Sequence, residues 1–219
     1  MRQAGAVTQG SFFPPVPAAD RDLDDVDAAA EVGPTWYRPS ELELPGAVAW
    51  VVVIGSSPTT VVSLENWRVS SNGVTLTLAI RAVERGRRER KALWQALGVH
   101  HGRGELAMLL PPGGLRFGFG FADGRTVTSL DESGWTTMPE DVGPAEHLPD
   151  RPCLEGLGRS TTGAATWQRD VWLWPLPPPG TLTAVCSWPD RDIPETTTEL
   201  DADEVLMASR RARAAFGDA

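Results

Sequence analysis

The chain has 219 residues, a formal net charge of −9 and 41% hydrophobic residues, which is long enough to bury a core without disulfide staples. The negative balance disfavours nonspecific binding to a phosphate backbone, so nucleic acid is not the expected partner. Cys153 and Cys186 make no disulfide framework, no run reaches the length of a membrane span, and the first residues lack the apolar stretch of a signal peptide, so a reduced, cytoplasmic protein without membrane contact is expected.

Residues 1–44 are rich in proline, alanine and acid. Up to Pro45 there are eight Asp and Glu against Arg2, Arg21 and Arg38. Such a segment buries too little apolar surface to offset its ordering entropy, so it is expected to be a disordered tail. A single folded domain is expected over 45–219. It opens with Ala47–Ile54 (AVAWVVVI), a continuous apolar run that reads as one strand buried on both faces. Thr60–Ser70 and Val74–Ala82 flank Asn72-Gly73, a hairpin signal that predicts a type I′ turn with positive φ at both residues. In the second arm Val74, Leu76, Leu78 and Ile80 alternate with Thr75, Thr77, Ala79 and Arg81, so one face meets the core.

The stretch 81–103 is basic, with Arg85, Arg87, Arg88, Arg90 and Lys91. It predicts a short helix at about Glu89–Leu97, stopped by Gly98. Gly104–Leu110 reads as a short strand. Leu115–Phe121 (LRFGFGF) places Leu115, Phe117, Phe119 and Phe121 on one face and Arg116, Gly118 and Gly120 on the other. Asp123-Gly124 turns it into Arg125–Leu130. The following 131–165 reads as a long connection, acidic and then glycine-rich (GLGRSTTGAA). Thr166–Pro189 predicts two apolar strands joined as a hairpin by a proline-glycine turn, with another strand near Pro194–Leu200. The chain ends in a helix at about Ala202–Phe216, with Asp201 as N-cap and Glu204 completing a capping box. The expected architecture is mainly β: an antiparallel sandwich of about eight or nine strands, with a C-terminal helix and one short helix in an insert.

Chemistry is harder to place. His100 and His101 are adjacent, and neighbours on an extended segment point to opposite sides, which argues against one shared metal ion. Ser160 lies in GLGRSTTG without the lysine of a phosphate loop, and there is no Gly-x-Ser-x-Gly elbow. No catalytic residue, metal ligand or cofactor is nominated. Gly118 and Gly120 remove side-chain bulk from one strand face. With Arg116, Trp172 and Trp174 they form the candidate ligand-binding set. The competing and favoured reading is that Trp172, Trp174 or Trp188 fills that face. Trp135, Trp167 and Trp172 are candidate sugar-stacking rings only if exposed.

NGVTLTLAIR, LRFGFGFADGR and WLWPLPPPGTLTAVCSWPDRDIPETTTELDA resemble an uncharacterised family of actinobacterial proteins over roughly residues 45–216. The resemblance implies a single domain in a bacterial, cytosolic setting, and it brings no activity, cofactor or site residue. The chain departs from that family in the basic insert around Arg85–Arg90 and in its acidic tail. The expected function is a non-enzymatic scaffold or protein-interaction module. The alternative is a hydrolase or carbohydrate-binding protein using Trp and acidic residues on a sheet face.

Overall fold

The computed structural model describes residues 33–216. Of the tail expected over 1–44, residues 1–32 lie outside them. Residues 33–44 belong to the folded body. Trp36 is 1% exposed, and its carbonyl accepts from Trp172 Nε1 at 3.1 Å. The folded body therefore includes residues upstream of Pro45, because Trp36 supplies a buried ring that the composition of its surroundings hides.

Among the described residues twelve strands and three α-helices follow in order: β1 Glu43–Leu44, β2 Gly46–Val48, β3 Val52–Ser57, β4 Thr60–Val69, β5 Val74–Ala82, α1 Arg87–His100, β6 Arg116–Gly120, β7 Thr126–Thr128, α2 Gly134–Thr137, β8 Cys153–Thr162, β9 Thr166–Trp174, β10 Thr181–Trp188, β11 Ile193–Asp201, α3 Ala202–Ser209 and β12 Arg213–Ala214. A six-stranded sheet runs β2-β4-β5-β9-β8, with β3 also on β4. A four-stranded sheet runs β11-β10-β6-β7, and β1 pairs β12. All pairings are antiparallel. The fold is mainly β and fits a sandwich with a C-terminal helix.

The core lies between the two large sheets. Val74, Leu76, Leu78 and Ile80 of β5 are fully buried, and Phe117 and Phe119 of β6 face them in one cluster with Trp167, Val171 and Leu173 of β9. Each such side chain contributes roughly 1.5–3 kcal/mol of burial. On one flank the sheets close on each other, because Thr196 Oγ1 of β11 donates to the Ile54 carbonyl of β3.

Several expectations are corrected. Ala47–Ile54 is two strands, β2 and β3, which pair with successive parts of β4. Val51 and Val53 are exposed between and within them. Asn72-Gly73 does join β4 to β5, but neither residue has a positive φ. Ser70 N donates to Gly73 O at 3.0 Å in a longer connection. Gly73 is needed for space, since a Cβ there would meet the Trp172 ring at 2.5 Å. The first helix runs past Gly98 to His100, and Gly104–Leu110 forms turns instead of a strand. The glycine-rich stretch read as a loop is β8, a ten-residue edge strand.

The apolar pair in Thr166–Pro189 is not a hairpin. β9 belongs to the six-stranded sheet and β10 to the four-stranded one, so Pro175–Gly180 carries the chain across the sandwich. The last helix ends at Ser209, and the chain turns back as β12. Asp201 caps the helix, accepting from Asp203 N at 2.9 Å. Glu204 instead accepts from Trp50 Nε1 at 3.2 Å.

Candidate functional site

The five candidate ligand residues are not brought together. Arg116, Gly118 and Gly120 lie on β6 of the four-stranded sheet, whereas Trp172 and Trp174 lie on β9 of the other sheet. Trp172 is fully buried on the outer face of its sheet, under Trp36 and over Gly73. Trp174 is half-buried. No tryptophan fills the glycine face either. A Cβ on Gly118 would meet Val127 O at 2.4 Å, so that glycine permits close approach of β7. The nearest atom to a Cβ on Gly120 is Thr183 Cβ at 3.6 Å. Trp188 is buried in the core. A groove of about 210 Å³ does lie beside Gly118, with Arg116 and Glu195 as its charged residues. It holds no aromatic ring apart from Phe117 and no pair of carboxylates, so it offers no sugar-stacking platform. Trp167, the other proposed stacking ring, is fully buried, and Trp135 is 36% exposed.

Another cleft lies elsewhere, along the insert that links β5 to β6. This insert holds α1 and the turns 101–115. Leu93, Trp94 and Leu97 at helical spacing seat α1 on the core, but the helix keeps most of its surface exposed. Between α1 and the segment Leu110–Leu115 opens a cleft of about 430 Å³, within the usual range of ligand pockets. Leu93, Leu97, Leu115 and Trp188 give it an apolar lining, and Glu84, Glu89, Asp190 and Arg191 its charged groups. Glu84 pairs with Arg191 at 2.5 Å.

The histidines are tied into the insert. His100 ends α1, and its Nδ1 donates to Met108 O at 2.9 Å. His101 accepts from Ala107 N at Nδ1, at 3.3 Å, so its Nε2 carries the proton and donates to Leu115 O at 3.1 Å. Both ring nitrogens of His101 are used, which leaves no lone pair for a metal. Burial pushes its pKa down to about 4. Beneath it Arg169 of β9 donates to His101 O at 2.6 Å and Gly104 O at 2.7 Å. The guanidinium thus anchors the turn after α1 at the end where helix carbonyls lack partners. Burial lowers the pKa of Arg169. The motif search missed this anchor. Its only trace was an arginine set among apolar residues in TWQRDVWLW.

Other titratable groups are framework. Glu155, buried, accepts from Ser133 Oγ at 2.8 Å and Gly134 N at 3.0 Å, and burial raises its pKa. Its partners hold α2 against the six-stranded sheet, where Trp36, Tyr37, Trp135 and His147 pack edge to face. Glu65 accepts from Arg81 at 2.5 Å and Ser63 at 2.6 Å; the bond from Arg81 lowers its pKa. Ser160 lies on β8, where its N–H donates to Gly102 O at 2.9 Å. Comparison of the chain with protein-family models, curated proteins and solved structures returns no match.

Proposed function

We propose that this protein is a non-enzymatic, cytoplasmic protein-interaction module of the bacterial type its sequence resembles, and that the insert between β5 and β6 is its docking surface. The observation that carries the reading is the apolar exposure around the cleft beside α1. Val83, Val99, Met108 and Leu109 are all exposed on this one insert, and Leu109 is 86% exposed. Both Ala107 and Leu109 hold positive φ, a conformation that non-glycine residues adopt at a cost and that clusters at binding loops. Exposed apolar side chains grouped beside an apolar-lined cleft are the usual mark of a polypeptide-binding surface.

The competing hydrolase or sugar-binding reading has less support. It needs an acid with a raised pKa beside an open ring. Glu155, whose pKa is raised, is 3% exposed and spends its carboxylate on Ser133 and Gly134, Glu65 has a lowered pKa through Arg81, and Trp172 is sealed. The free, buried Cys153 and Cys186 suit a reducing compartment, and among the described residues no helix is long and apolar enough to cross a membrane.

The test is cross-linking in the native cell with the wild-type chain and with Leu109→Asp and Val99→Asp. Both positions are exposed, so melting is expected to stay near wild type. A polypeptide recovered with the wild type and lost with both variants supports the reading. An unchanged set of cross-linked proteins overturns it.

A further inference from the structure

A second cleft lies on the outer face of the six-stranded sheet, apart from the insert. Glu65, Thr77, Asp170 and Leu157 form one row across β4, β5, β9 and β8. Immediately after this row the register breaks on both outer strands, between Glu65 and Arg68 on β4 and between Leu157 and Thr161 on β8. Bulges re-aim side chains and commonly mark binding sites. Here one bulge carries Asn66, with φ +52°, and the other carries Gly158, with φ +57°. Each is followed by an arginine that lines the cleft, Arg68 or Arg159.

The cleft measures about 410 Å³, and the charged side chains on this face are Arg68, Arg159 and Asp170. Asp170 is already committed. Its Oδ1 accepts from Thr77 Oγ1 and its Oδ2 from Arg68 Nη2, both at 2.6 Å. Arg68 keeps further N–H donors beyond that bond. Arg159 is exposed and makes no hydrogen bond or ion pair with another described residue. Arg169, next to Asp170 and opposite Leu78 of β5, turns its guanidinium to the other face of the sheet, where it holds the insert. Two arginines, one beyond each bulge, therefore flank a single carboxylate that Arg68 neutralises, in a chain whose net charge is −9. Asn66, Gln168 and Thr161 add polar side chains to the wall.

We propose that this double-bulge cleft binds a small tetrahedral oxyanion, phosphate or sulfate, either free or carried on a polyol. Arg68 and Arg159 hold it from opposite sides. Asn66 and Gln168 bond its remaining oxygens or the hydroxyls of its carrier. Guanidinium groups suit such anions because their planar N–H forks match the oxygen spacing.

The experiment is titration calorimetry of the full chain with inorganic phosphate, sulfate and glucose 6-phosphate, at ionic strength matched with chloride. Saturable binding of at least one of them is expected. Arg159→Gln, which removes no side-chain hydrogen bond or ion pair to another described residue, is expected to weaken it roughly tenfold or more. Arg125→Gln, on the turn between β6 and β7, is expected to leave it unchanged. Glucose 6-phosphate binding more tightly than phosphate supports the site and assigns a polyol carrier; equal affinities support it and assign the free ion. Heats no larger than those of matched chloride, or Arg159→Gln binding like wild type, overturn the proposal.

Discussion

Gly156 on β8 lies directly against the guanidinium of Arg169. A Cβ at Gly156 would stand 2.2 Å from Arg169 Nη2, the same nitrogen that donates to Gly104 O. Gly156→Ala therefore displaces the anchor of the insert. The expected cost is about 2–4 kcal/mol, a fall in Tm of roughly 5–10 °C. Thermal melting checks it, and a variant that melts with the wild type would show that Arg169 has room to move.

Trp36→Ala is expected to destabilise by about 3–5 kcal/mol, because it empties the space under Gly134 and removes the ring that covers Trp172. Trp36→Phe should cost less. A chain beginning at Pro45 should lose the same contacts and unfold at lower urea than one beginning at Gly33. Equal urea midpoints for the two would contradict the packing of Trp36.

The pH dependence has a defined sign. Burial holds the pKa of His101 at about 4, against 6.5 for an ordinary histidine. Between these values the unfolded chain binds more protons than the folded one, so protonation favours unfolding. The contribution is fully present above pH ~6.5 and fades as pH falls towards ~4, amounting to about 3 kcal/mol. Glu155 works in the opposite sense, since burial raises its pKa and protonation favours its folded form. Urea midpoints of wild type and His101→Gln from neutral to acid pH test this. The variant should start lower and lose less; parallel curves would exclude His101 as the source.

Burial pushes both Cys153 and Cys186 up to about 12. Neither thiol should react with a disulfide reagent in the native state near neutral pH, because the thiolate is the attacking form. Both should react once the chain is unfolded. Rapid modification of the native protein would place one of them at the surface.

Local pattern predicted faces better than partners. The alternation in Leu115–Phe121 gave the buried side of β6 correctly, since Leu115, Phe117, Phe119 and Phe121 are all buried. The same reasoning found β9 and β10 but joined them, because periodicity states which face is buried and not which sheet receives the strand. Four prolines before Gly180 make a stiff segment suited to crossing between layers about 10 Å apart. β8 escaped notice because its glycines serve neighbours: Gly156 makes way for Arg169, and Gly158 shapes a bulge. The candidate site failed for a related reason. Arg116 and Trp172 each lie on a correctly read strand, yet their sheets present them on different faces. The arginines of the double-bulge cleft were invisible as a group, since a register break cannot be read from one strand alone.

The hydroxyl of Thr196, spent on the Ile54 carbonyl, has a consequence for how copies of this chain behave at high concentration. Fibrillar stacking recruits strands through bare backbone margins. On this flank the margin of β3 is occupied from within, and on the other Gly102 holds the Ser160 amide of β8. A Thr196→Val variant frees a carbonyl where an incoming strand would begin to pair.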